Sequence, residues 1–96
     1  MPYQEEKTLK EVLLKMLDVY KLRGKLHQTR IRNLWETHMG ASVARQTTDI
    51  QVRHNKLYVS IESAALRHEL SYGREKICRI MNEALGERYL QEVIIR

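Results

Sequence analysis

Residues 57–72, LYVSIESAALRHELSY, change their hydrophobic period with no Pro or Gly between the two patterns. Leu57, Val59 and Ile61 alternate with Tyr58, Ser60 and Glu62, as in a strand with one buried face. Leu66, Leu70, Gly73 and Ile77 then recur at three and four, as on one face of a helix. A strand must therefore end at the edge of its sheet, and its helix must fold back at once over the same face. Ser63 has the chemistry of a helix N-cap, and Ala64 and Ala65 leave room for the turn. The joint reads as architectural, not chemical.

The rest of the chain fits around that joint. Thr8 to Glu11 reads as a capping box. Leu9, Leu13, Met16, Leu17 and Tyr20 follow as one apolar stripe, which predicts a helix over about 9–23. Gly24 is placed to end it, with Lys21 and Arg23 near the negative end of its dipole. A second helix is expected over about 29–39, with Ile31, Leu34, Trp35 and His38 on one face and Gly40 as its stop. Residues 41–44 can add a turn. Trp35, the single tryptophan, reads as a core anchor.

Ile50, Val52 and His54 alternate, Asn55-Lys56 reads as a hairpin turn, and Leu57, Val59 and Ile61 alternate again. The helix capped by Ser63 is expected over about 64–85 and is closed by Gly86. Gly73 lies on its apolar face, where it marks either close backbone packing or a kink. A last strand over about 90–96 carries Val93 and Ile95 on one side. The order is α-α-β-β-α-β in one domain of 96 residues, with residues 1–8 as a flexible start. This predicts an α+β fold, a two-layer sandwich with helices on one face of a three-stranded sheet. The last strand can join beside the second strand or beside the first. The expectation here is the first, which makes the sheet antiparallel throughout.

Charge narrows the function classes. The net charge is +5, and Lys21, Arg23, Lys25, Arg30 and Arg32 lie between Val19 and Trp35 with no acidic residue among them. The other 12 Lys and Arg balance the 12 Asp and Glu, so the whole surplus sits in that stretch. It reads either as a nucleic-acid contact surface or as a solvated turn between helices. No apolar run approaches the ~20 residues of a membrane span. The single cysteine, Cys78, allows no internal disulfide, and the expected location is the cytoplasm.

Catalysis needs convergent groups, and the sequence offers none. His27, His38, His54 and His68 are not paired at i+3 or i+4, and Cys78 stands alone, so no zinc spacing appears. Residues 23–25, Arg-Gly-Lys, lack the second Gly and the hydroxyl of a phosphate loop. Glu75 and Glu83 beside Lys76 and Arg79 read as helix-surface pairing. Neither enzyme activity nor a cofactor is expected.

A series of small features runs through the chain: Trp35 before Met39-Gly40, then Ala44; Leu57-x-Val59-x-Ile61-x-Ser63; Glu69-Leu70; Ile77; Met81-Asn82; Leu85-Gly86; and Val93-x-Ile95-Arg96. As an ordered set over about residues 9–96, it resembles the bacterial DciA family. The resemblance implies a K-homology-like domain. It also implies a non-enzymatic partner of the hexameric replicative DNA helicase that assists its placement on single-stranded DNA, without ATPase activity of its own. Many relatives carry a long basic extension, so here the resemblance puts DNA contact on Lys21–Arg32. The glycine loop with which K-homology domains clamp nucleic acid has only a partial counterpart in Gly73-Arg74-Glu75-Lys76, which lacks the second Gly. Two other readings remain: a stand-alone binder of DNA or RNA, and an interaction module that pairs with another protein or with itself through an exposed sheet edge.

Overall fold

A computed structural model describes the backbone from Pro2 to Arg96 and the side chains from Thr8 onward. Of the flexible start expected over residues 1–8, Met1 and the side chains of residues 2–7 lie outside what is so described. The elements are α1 (Pro2–Met39), α2 (Ala41–Gln46), β1 (Thr47–Arg53), β2 (Lys56–Ile61), α3 (Ala64–Ser71), α4 (Arg74–Leu85) and β3 (Glu92–Ile95). With α3 and α4 counted as one interrupted helix, the order is α-α-β-β-α-β. The fold is α+β, with helices against a three-stranded mixed sheet, and it is compatible with a K-homology-like arrangement.

The two expected N-terminal helices are one. Residues 9–23 and 29–39 belong to a single helix, Thr8 lies inside it, and Gly24 does not end it. The apolar positions on either side of Gly24 are in phase on one helical face, so continuing the helix costs only the backbone entropy of one glycine, about 1 kcal/mol. The left-handed stop is at Gly40, whose φ of 89° turns the chain into α2.

The hairpin turn also sits one residue earlier than the pattern suggests. His54 and Asn55, with φ of 52° and 63°, are its two central residues, and Lys56 already pairs with Arg53. Two consecutive positive φ values match the twist of the flanking strands. Between Thr47 and Asp49 the register slips by one residue, a bulge at Thr48.

The sheet order is β1-β2-β3, with β1 antiparallel and β3 parallel to β2. The expectation of an all-antiparallel sheet is therefore overturned. The reason is burial. Leu57, Val59 and Ile61 make β2 the strand whose inner face is covered at every alternate residue. Register places Val93 beside Leu57 and Ile95 beside Val59, which extends that apolar surface. The outer edge of β1 is meanwhile occupied by Arg32, whose Nη2 donates to the Ile50 carbonyl at 3.2 Å. The connection through α3 and α4 returns the chain in parallel, as a crossover does.

The helix expected over 64–85 is interrupted at Tyr72-Gly73. A Cβ on Gly73 would meet only the Leu70 carbonyl, at 3.9 Å, so close packing is not its role. It is the break itself, and it lets α4 turn Ile77, Met81 and Leu85 into the core. That core also holds Ile31 and Trp35 of α1, the inner face of β2, Leu90 and Val93.

Candidate interaction surfaces

The five basic residues all stand on α1, but the helix does not gather them into one patch. At about 100° per residue, Lys21, Lys25 and Arg32 fall within roughly 40° of one another, and Arg23 and Arg30 lie on the opposite side. All five are exposed. Arg23 donates through Nη2 to Glu87 Oε2, and Arg32 is bonded to the edge of β1. Among the described residues, no ion pair or hydrogen bond engages the side chains of Lys21, Lys25 or Arg30. The pair with the same outlook is Lys21 and Lys25, one turn apart.

Arg23 belongs to a junction that the sequence did not announce. His27 is the one buried polar residue of the described chain. Its Nδ1 donates to the Arg23 carbonyl at 2.8 Å, and its Nε2 lies 2.8 Å from Glu87 Oε1. Its ring stacks on Tyr89 with centroids 4.2 Å apart. Burial, reinforced by the Tyr20 hydroxyl and the Glu87 carboxylate and opposed by Arg23, pushes the Tyr89 phenol above its usual range. Asn55 Nδ2 of the hairpin turn donates to the Tyr89 carbonyl at 3.0 Å.

Asn82 fastens the same loop from below. Its Oδ1 accepts from Tyr89 N at 3.2 Å and Leu90 N at 2.8 Å, while its Nδ2 donates to the Leu90 carbonyl at 2.9 Å. One amide side chain thus substitutes for the sheet partners that the 86–91 segment lacks. The only sequence sign of it was the Met81-Asn82 pair. Nothing in the spacing marked His27, Glu87 and Tyr89 as neighbours, because two segments 60 residues apart, α1 and the loop after α4, bring them together.

The other singled-out residues hold the frame. Trp35 is 1% exposed, and its Nε1 donates to Thr47 Oγ1 at 3.0 Å, which ties α1 to the start of β1. Ser63 Oγ accepts from Leu66 N at 3.3 Å and caps α3. Arg67 adds donations to the carbonyls of Ile61 and Glu62, so the strand-to-helix joint is held from both sides. Leu70 is half-buried against the core. Gly73 to Lys76 forms the start of α4. A helix N-terminus favours phosphate, but Glu75 puts an exposed carboxylate in this first turn.

Hollows also open on the described surface. One, of about 280 Å³, lies between α1 and β1, with Arg32, Glu36, Thr48 and Asp49 at its walls. A wider groove runs along α4 past Cys78, Asn82 and Arg88. Burial pushes the Cys78 thiol up, away from the thiolate that a nucleophile needs. Among the described residues no group of three or more His, Cys, Asp or Glu could hold a metal ion, and no helix is long and apolar enough to cross a membrane.

The described surface therefore offers cationic and apolar contacts. The comparisons with known proteins agree in scale with the ordered motif series. No curated protein and no solved structure matches the chain. The family model described as "Dna[CI] antecedent, DciA" matches residues 8–95, from the first turns of the described helix to the end of β3. The chain belongs to the DciA family.

Proposed function

We propose that this protein is a DNA-replication adaptor that binds the hexameric replicative helicase and helps place it on single-stranded DNA, with no catalysis of its own. The observation that carries this reading is the family match over residues 8–95. The surface supports it: Lys21 and Lys25 face solvent side by side, as contacts for an acidic surface or for phosphate.

The test is calorimetry of the full chain with the replicative helicase of the same organism, with and without single-stranded DNA. Saturable binding at micromolar affinity or tighter is expected. No heat and no co-migration at a hundred micromolar would contradict the adaptor role.

The net charge of +5 supports a second reading, a stand-alone DNA- or RNA-binding domain. Salt dependence separates the two. For single strands each phosphate contact adds about 0.7 to the log–log slope. Lys21 and Lys25 alone give a slope of about −1.4, and all five basic residues give about −3.5. The steeper slope, with no helicase binding, favours the stand-alone binder.

A further inference from the structure

The N-terminal part of α1 carries an apolar face that nothing among the described residues covers. Leu9, Val12, Leu13, Met16, Leu17 and Tyr20 are between 45% and 71% exposed. The helix leaves the domain near Arg23, where Glu87 holds it, so residues 8–22 extend about 22 Å beyond that contact. The molecule is accordingly 64 Å long and only 21 by 20 Å across. At about 200 Å² for a large side chain, these half-exposed residues present on the order of 600–700 Å² of contiguous apolar surface. That is at or above the largest patch of an ordinary monomer, roughly 300–600 Å². A helical segment of this length is marginal in water unless its apolar face is packed.

We propose that a second copy of the chain covers this face, with residues 8–22 of two protomers packed antiparallel about a two-fold axis near Met16. Three observations select this occupant and orientation. Two copies of the face bury roughly 1,200–1,400 Å² in total, which reaches the size of a specific interface. The stripe lies on the side of α1 that faces the domain core, since Leu13 and Ile31, or Met16 and Leu34, are five turns apart. A parallel pair with axes 8–10 Å apart would therefore drive two domains about 20 Å wide into each other. It would also bring Arg23, at the edge of that stripe, close to its own copy. The antiparallel pair sends the domains to opposite ends and keeps the basic segments apart.

Sedimentation of the full chain from one to a few hundred micromolar reads the result. The mass is expected to double with concentration. The variant Leu13→Asp/Met16→Asp is expected to stay monomeric throughout and to keep the Trp35 fluorescence of the folded core. A wild type that remains monomeric at a few hundred micromolar overturns the proposal, and so does a variant that still dimerises. Orientation is read by cross-linking under oxidised glutathione in a Cys78→Ser background. Met16→Cys should form a covalent dimer, whereas two copies of Leu9→Cys would lie about 21 Å apart and should not. Equal cross-linking at both positions overturns the antiparallel arrangement. A wild-type monomer whose Leu13→Asp/Met16→Asp variant loses helicase binding assigns the face to the helicase and also overturns the proposal. Loss of helicase binding by wild type and variant alike, with dimerisation intact, bears only on the adaptor reading.

Discussion

The two halves of α1 carry one pattern and meet two fates. Eighteen residues are five turns of an α-helix, so Leu13 and Ile31 share an angular position, as do Met16 and Leu34, and Leu17 and Trp35. Ile31 and Trp35 are fully buried and Leu34 partly so, while Leu13, Met16 and Leu17 stand in solvent. Amphipathicity says which side of a helix wants cover. It does not say whether the same domain supplies it. The loop after α4 reaches as far as Arg23 and His27, and the apolar stripe simply runs past it.

The comparison can be broken most directly at its buried end. Trp35→Ala removes the largest body of the core and its hydrogen bond to Thr47, and should cost about 3–5 kcal/mol by denaturant unfolding. Leu17→Ala, at the same angular position five turns earlier, should change the dilute protein by less than about 0.5 kcal/mol. Similar losses at both sites would mean that the N-terminal half is packed as well.

Asn82→Ala tests how the loop beneath α1 is fixed. It leaves the Tyr89 and Leu90 amides without their partner and should cost about 2–3 kcal/mol. An effect below 0.5 kcal/mol would show that water or the backbone replaces the amide. Ser63→Ala at the strand-to-helix joint should cost about 1 kcal/mol, with Arg67 limiting the loss.

The smallest effect has the most informative sign. A Cβ on Gly24 meets nothing within 4 Å, and the position is helical. Gly24→Ala should therefore stabilise the protein by about 0.5–1 kcal/mol. Were Gly24 a left-handed stop between two helices, the same change would destabilise it.

Much of this was legible in the sequence. The alternation of β2, the cap at Ser63 and the apolar face of α4 fixed the joint and the layer arrangement, because each is a local pattern read directly by burial. The continuity of α1 through Gly24 was not legible, since a glycine after a basic turn is a common stop. The phase match between the two stripes was the signal that could have overruled it. The position of β3 escaped for a different reason: Val93 and Ile95 fit beside either strand by pattern, and the sheet sets them beside Leu57 and Val59 of β2. The basic stretch was visible as charge, but helical geometry divides Lys21 and Lys25 from Arg23 and Arg30. The His27–Glu87–Tyr89 junction depends on two distant segments, α1 and the loop after α4, and left no periodic trace.

Hydrogen exchange along α1 at two protein concentrations tests the central contrast most directly. Amides of residues 27–38 are expected to share the protection of the global fold at both concentrations. Those of residues 8–22 should exchange quickly in the dilute sample and slow as concentration rises and a second copy covers the stripe. Residues 8–22 as protected as 27–38 in the most dilute sample would contradict the account, because the chain itself would then be covering a face described here as open.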